Sequence, residues 1–566
     1  MEKLKNIFKK DMSRRALGIL ICCTFAAKAV LAWQQEIYVW VGGAPLDDEL
    51  MYAMARSISA GNWLGSYNYL TLSKQMGFAV WLALCHLVHL PYLIAGQLLL
   101  CGAALAMAFA FAPVLKRNKS RFLLFAALAF SPAAAASFTL RVYRDNIFPS
   151  ECILFFAGLI GVALRYRQGL KKYWLWLILA GVGFGMAKLT REDGIWLAPF
   201  ALLGTGILLV AIVREKGLDK KVWRCLSLAV PFGILAAAVV AVSAVNYAYY
   251  GVFCTSDFSE GPFAAAYGAM TRVTHENDTR LVPVPKDVRE KLYANVPQLA
   301  RLKPWLEENK AIQNAYLNKE LGDYQAGSFY WVLRRAAQEE GIYDNAADAA
   351  AYWQGVADAI NAAIDEGALE ASCGPRSTTT PIIRGRDVLP TIAEALHSVV
   401  FCATFEDCSC YYYKAEDLSL ILPEDAAEYA AYLGSVPNYA AVEGGAEPYY
   451  APRQLLLYNL FDLLRLIYRV ALPLMLIAAA ALQIRKLVWM IRHKNADGLV
   501  LWLVLLGVLG MALLRCGMIA FMEVAAFQIG TYVMYLASVH PLLLTYAVAG
   551  IITGANLPTE QKGETT

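Results

Sequence analysis

Four groups of charged residues stand where apolar runs of this chain end, and each has the makings of acid–base or phosphate chemistry. Asp47-Asp48-Glu49 sets three carboxylates side by side, shortly after an apolar run that closes at Trp33. Arg144-Asp145 and Arg191-Glu192-Asp193 each pair a cation that can hold a phosphate with an anion that can take a proton or help hold a metal. Arg515 closes a fourth run. A charge at the end of a span is ordinarily a solvated cap that keeps the helix in register with the bilayer. Chemistry is favoured here because Asp47-Asp48-Glu49 opens a short amphipathic helix, with Leu50, Met51, Met54 and Ile58 at apolar spacing. The carboxylates then fall in its first turn, where the helix dipole favours them.

The elements that must carry these groups follow from composition. Of 566 residues, 58% are hydrophobic and 17% charged, which excludes a soluble globular chain and gives a polytopic α-helical membrane protein of about 10–12 spans. Spans are expected near 17–33, 93–115, 122–140, 147–164, 173–190, 195–213, 225–249, 461–484, 498–515 and 530–553. The basic N-terminus leads into a first span with no cleavage site after it, so the span is read as retained and the N-terminus as cytosolic. Charge is divided unevenly. Residues 250–455 hold 16 Lys and Arg against 29 Asp and Glu, and the remainder holds 34 against 17. The basic loops Lys116–Arg121, Arg165–Lys172, Arg214–Arg224 and Arg485–Lys494 are then cytosolic, and the acidic stretch lies outside a plasma membrane. The run Gly77–Tyr92 would reverse every later loop if it crossed, so it is read as an interfacial or re-entrant helix. All four charged groups then meet at the external face.

Three regions result: a transmembrane module over 1–250 with a first external loop at 34–76, an acidic extracytoplasmic domain over 251–455, and C-terminal spans over 456–566. The acidic domain opens on the aromatic stretch Asn246–Gly251. Helical periodicity is expected over 288–318 and 346–370, with a loop of Gly, Pro and Thr between Cys373 and Pro381. Trp305, Trp331, Trp353 and Tyr411-Tyr412-Tyr413 have the chemistry to stack on sugar rings, although core packing is the commoner fate of such aromatics. Excess acid argues against nucleic acid as a partner. No nucleotide loop, His-Glu-x-x-His or Gly-x-Ser-x-Gly elbow occurs, so nucleotide sugars are not an evident donor. Cys402, Cys408 and Cys410 have irregular spacing for zinc.

The order and side of these motifs resemble the GT-C superfamily, the multi-pass glycosyltransferases that use polyprenyl-phosphate-linked sugars, among them protein O-mannosyltransferases and bacterial aminoarabinose transferases. The likeness rests on the acidic pair of the first loop, Ser73-Lys74-Gln75-Met76-Gly77, Val142-Tyr143-Arg144-Asp145 and Leu189-Thr190-Arg191-Glu192-Asp193-Gly194. More loosely, it extends to Thr531–Leu536 with His540-Pro541. It implies that Asp47 or Asp48 takes the proton of the acceptor hydroxyl, and that Lys74, Arg144, Asp145, Arg191 and Arg515 hold the donor phosphate. Glu49, Glu192 and Asp193 would support them. Some relatives place a divalent cation near the position of Asp145, but Ser73 stands where aminoarabinose transferases carry a carboxylate, so the metal stays open. The implied reaction is transfer, with inversion, from a polyprenyl phosphate to a glycan, lipid or protein acceptor in envelope assembly. The alternatives are a transporter or flippase of a lipid-linked or anionic precursor, in which intramembrane charges mark a pathway, and a non-catalytic envelope scaffold.

Overall fold

The computed structural model describes residues 11–39, 46–276, 280–410, 423–437, 452–496, 498–528 and 532–555. Tyr411-Tyr412-Tyr413 and Thr531, both singled out in the sequence, lie outside the described residues. The chain is a polytopic helical membrane protein. Its main helices are α1 (Arg14–Trp33), α2 (Asp48–Ser59), α3 (Gly77–Leu87), α4 (Tyr92–Ala110), α5 (Asn118–Ala129), α6 (Phe148–Ala163), α7 (Trp174–Thr190), α8 (Ala198–Arg214) and α9 (Val230–Tyr250). They continue with α10 (Gly261–Arg272), α11 (Ala326–Glu339), α12 (Ala346–Asp365), α13 (Gly385–Ala403), α14 (Pro452–Arg492), α15 (Leu499–Met522) and α16 (Val539–Ala555). Among the described residues, seven helical stretches are long and apolar enough to cross a membrane: those built on α1, α4, α6, α8, α9, α14 and α15. The helices α3, α7 and α16 are apolar but shorter. At 11 residues, α3 is only about half of the roughly 20 residues that a crossing needs.

One expected span is not a single helix. Where 122–140 reads as one apolar run, α5 stops at Ala129, and a 3-10 turn at Pro132–Ala135 and a four-residue helix at Ser137–Leu140 follow. Pro132 cannot donate to the helical ladder, which ends the helix before it. The irregular stretch is buried, from Ala133 to Asn146 with the single exception of Ser137, as irregular backbone at membrane depth must be. This break frees Arg141–Asn146 to form a loop instead of a helix surface. The expected helix over 288–318 is likewise divided, into Lys286–Asn295, Pro297–Ala300, Pro304–Glu308 and Lys310–Tyr316. Pro297 and Pro304 each begin a new turn. The 346–370 expectation corresponds to α12, which ends at Asp365.

Three apolar cores hold the molecule together. The largest joins α4 to α8 with α13 to α16. A second packs α10, α11 and α12 around Trp353, with Tyr69 of the first loop keyed into it. The third joins α2, α3, the start of α4 and the Leu140–Ile147 loop. In α2 Met51 and Met54 are buried and Leu50 and Ile58 half-buried, which orients its first turn toward that loop. All 12 cysteines are free thiols.

Candidate functional site

Two close backbone approaches bring the charged segments together. A Cβ on Gly77 would stand 2.6 Å from the carbonyl oxygen of Leu189, so only glycine lets the start of α3 touch the end of α7. There the Gln75 N–H donates to Glu192 Oε1 at 2.9 Å. A Cβ on Gly194 would stand 2.2 Å from the Ala187 carbonyl oxygen; its absence lets the turn Glu192–Leu197 fold back along α7. On the other side Tyr38 pairs by backbone with Leu140 and Val142, at 3.2 and 2.9 Å, and holds the chain extended through Arg141.

The charges form one layer of paired groups. Lys74 Nζ donates to Asp47 Oδ1 at 2.6 Å, and the Tyr143 hydroxyl donates to the same oxygen at 2.7 Å. Arg144 reaches Glu192 Oε2 at 2.6 Å and the Tyr143 hydroxyl at 2.6 Å. Arg191 Nη1 donates to Asp145 Oδ1 at 3.0 Å and its Nε to Asp193 Oδ1 at 3.0 Å. Asp193 Oδ2 in turn lies 2.6 Å from Arg515 Nη1. Asp48 is held by Arg141, whose Nε sits 2.8 and 2.7 Å from its two oxygens. Of the residues that the sequence singles out, Asp47, Asp48, Lys74, Arg144, Asp145, Arg191, Glu192, Asp193 and Arg515 all enter this layer. Glu49 does not: it is exposed. With Arg141 counted, five carboxyl groups face five cations, and every cation has a carboxyl partner.

The adjacent acids differ. Asp48 is 1% exposed, and burial pushes its carboxyl up to about 7 against the opposing pull of Arg141. Asp47 lies deep in the cleft yet keeps 37% of its side chain accessible. Burial alone would raise its pKa; Lys74, Arg144 and the Tyr143 hydroxyl outweigh that and hold it well below the usual carboxylate range. Asp47 is therefore the ionised and reachable member of the pair. The phenols of Tyr330 and Tyr535 lie within electrostatic reach of it, and Lys74 Nζ stands 5.3 Å from the Trp331 ring.

Beside this layer opens a cavity of about 650 Å³. Its charged lining is made by Lys188, Arg191 and Arg515 with Glu192, Asp193, Glu260 and Glu523. Its apolar wall is made by Met518, Ile519, Phe521, Met522 and Phe527, with Ile195 and Ile383 at its margins and the loop Thr378–Thr380 across from α15. Arg515 is fully buried. Its Nε donates to the Tyr535 carbonyl at 3.1 Å, while Nη2 has no hydrogen-bond partner among the described residues.

Sequence reading did not single out Arg141, Tyr330 or Lys188. Arg141 had a signal, since it follows an apolar run directly and precedes Arg144 by three residues. Tyr330 had none, because α11 comes to the layer from more than 130 residues away in sequence. For a divalent metal the donor set fits poorly. Asp145 gives one oxygen to Arg191, Ser73 turns its hydroxyl to the Leu70 carbonyl at 2.7 Å, and no group of three or more metal-ligating side chains occurs among the described residues. No step is derived through a metal.

No protein-family model matches this chain, and no curated protein does. Among solved structures it is similar to ArnT from Cupriavidus metallidurans in the apo state, with a TM-score of 0.30 and 12% identity over 95% of this chain and 76% of that one. It is similar also to the same protein bound to undecaprenyl phosphate, with a TM-score of 0.30 and 11% identity over 96% of this chain and 77% of that one. A likeness of that size assigns neither a site nor an activity.

Proposed function

We propose that the chain is a GT-C-type glycosyltransferase that moves a sugar from a polyprenyl monophosphate to an acceptor hydroxyl at the external face of the plasma membrane. The observation that carries the proposal is the amphipathic cavity. Two arginines with little exposure stand at one end, an apolar wall of α15 continues from them, and an accessible carboxylate lies in the same charged layer. A phosphate whose lipid tail follows α15 has its charge met in a site of low dielectric, where neutralisation is worth most.

Donor binding must rearrange the layer, because each of its cations already has a carboxyl partner. Asp193 bridges Arg191 and Arg515 as a carboxylate with the same two-oxygen reach as a phosphate, so the donor phosphate takes its place and Asp193, 31% exposed, turns outward. Asp47 accepts the acceptor hydroxyl proton while the acceptor oxygen attacks the anomeric carbon from the face opposite the phosphate. The bond from that carbon to the phosphate oxygen breaks, polyprenyl phosphate leaves on Arg191, Arg515 and Lys74, and configuration inverts. In this reading residues 1–250 form the catalytic module, 251–455 the extracytoplasmic part that closes over it, and 456–566 the spans that wall the donor cavity.

The test is mass spectrometry of lipid retained by protein purified in mild detergent, before and after polyprenyl phosphate is added. The expected result is retained polyprenyl phosphate that is lost from the Arg191→Met, Arg515→Met double variant. Retention of bulk phospholipid alone, with no uptake of the added lipid, overturns the proposal.

A further inference from the structure

The helix α13 is inside out for a part of a water-facing domain. Val388, Leu389, Ile392, Leu396 and Val400 are 45, 77, 51, 64 and 59% exposed, and at 100° per residue they fall within an arc of about 120°. The opposite face turns Asp387, Ser398 and Cys402 inward, all buried to 3% or less. Its one polar pair toward the outer side is met within the helix: His397 Nδ1 and Glu394 Oε1 lie 3.1 Å apart. A soluble domain rarely leaves such a continuous apolar face uncovered.

The ends of the helix fix how it lies. Its start shares a cleft with Ala525, just past the end of α15, and Cys402 near its finish interacts with Cys516 of α15. Between Asp387 and Cys402 the helix is about 22 Å long, while Ala525 and Cys516 are about 14 Å apart along their own chain. Both ends therefore meet the Cys516–Ala525 end of α15, and the helix packs against α15 between them. Both ends carry exposed charge, Arg386 before and Glu406 and Asp407 after, as an interfacial helix does at the polar boundary. The chain then returns under cover: Cys408, Ser409 and Cys410 are buried, with Ser137 N–H donating to the Ser409 carbonyl at 2.7 Å and the Tyr38 hydroxyl to that of Cys410 at 3.0 Å.

We infer that the Val388–Val400 face of α13 is covered by lipid acyl chains at the outer leaflet boundary. Lipid is the occupant because α13 packs on α15, itself long and apolar enough to cross a membrane, and because the charges bracket the apolar face at both ends. Ile383, 75% exposed just before the helix, also lines the large cavity, so the lipid-covered face runs into the cavity margin. This assignment stands whether or not the chain transfers sugar.

The experiment places the photoreactive residue benzoylphenylalanine at Leu389, Ile392 or Leu396 of the full chain in phospholipid vesicles, with exposed Gln354 of α12 as the comparison. All four positions face outward, and an elution profile matching that of the unmodified protein establishes folding before irradiation. Phospholipid adducts at 389, 392 and 396 and none at 354 are expected. Adducts to a second copy of the chain, or no lipid adduct at the three positions, overturn the inference.

Discussion

Two sets of buried arginines in this chain look alike residue by residue and differ in what surrounds them. In the helical cap, Arg334 is fully buried. It donates to the Tyr69 carbonyl at 2.8 and 2.5 Å and to Asp257 Oδ1 at 2.8 Å, and is ringed by Phe258, Phe263 and Tyr343. Arg289 is bonded to Glu307 and Asp323, both at 2.6 Å. These groups are paired into a packed core and tie the first loop to the cap. Arg515 is as deeply buried and also lies near aromatic rings, yet one of its nitrogens has no partner among the described residues and it borders a large cavity with an apolar wall. Burial and pairing alone do not separate a structural arginine from a ligand-binding one; a void beside an unmet donor does.

The sharpest way to break that distinction is through the base. Asp47→Asn is expected to lower kcat by about 10² to 10⁴ with folding retained, since half-exposed pairs of this kind stabilise by roughly 1 kcal/mol or less. Steady-state rates and a melting curve on the same preparation check both halves. Next come Arg515→Met and Arg334→Met. The first should lower kcat by about 10² to 10³ with a small change in melting temperature. The second should cost about 3 to 5 kcal/mol of stability, because Asp257 loses its buried partner. If Arg515→Met instead unfolds the protein while Arg334→Met is merely slow, the two sets have been assigned the wrong way round.

How much of this was legible in the sequence follows the range of the forces involved. The apolar runs that built α1, α4, α6 to α9, α14 and α15 are read from composition, because lipid demands about 20 apolar residues whatever the neighbours are. The charged ends Asp47-Asp48, Arg144-Asp145 and Arg191-Glu192-Asp193 were legible for the same reason, since a charge against an apolar run costs energy and attracts notice. Pro132 hid in its run, since a proline can kink a span or end it, and only packing decides which. The partnership of Asp48 with Arg141 and the approach of Tyr330 depend on contacts between elements remote in sequence. So does the inverted face of α13, a helix that the sequence reading did not mark and whose covered side is set by α15.

A smaller effect sharpens the comparison from the ligand side. If Asp193 holds the place of the donor phosphate between Arg191 and Arg515, Asp193→Asn removes a competing anion and leaves both cations in position. Polyprenyl phosphate should then bind roughly tenfold more tightly, about the worth of two half-exposed ion pairs, as read by titration in detergent. The same substitution at Asp257, which does not line that cavity, should leave that affinity unchanged. Weaker binding in Asp193→Asn would show that Asp193 orients the arginines instead of competing for them.

The smallest change expected is in pH dependence, and it isolates Lys74. Because the folded-state pKa of Asp47 is depressed, its stabilising contribution is fully present above the ordinary aspartate value of about 4 and is lost as the pH falls below it. If Asp47 is the base, as proposed, it is ionised at every pH above that value, so kcat should show no acid limb from this group there. Lys74→Met takes away the largest opposing charge and leaves burial, which raises the carboxyl. An acid limb should therefore appear in the kcat profile of the variant, above pH 4 and absent from the unmodified protein. A variant that loses rate equally at every pH would make Lys74 a phosphate ligand alone, and would leave the ionisation of Asp47 to Arg144 and Tyr143.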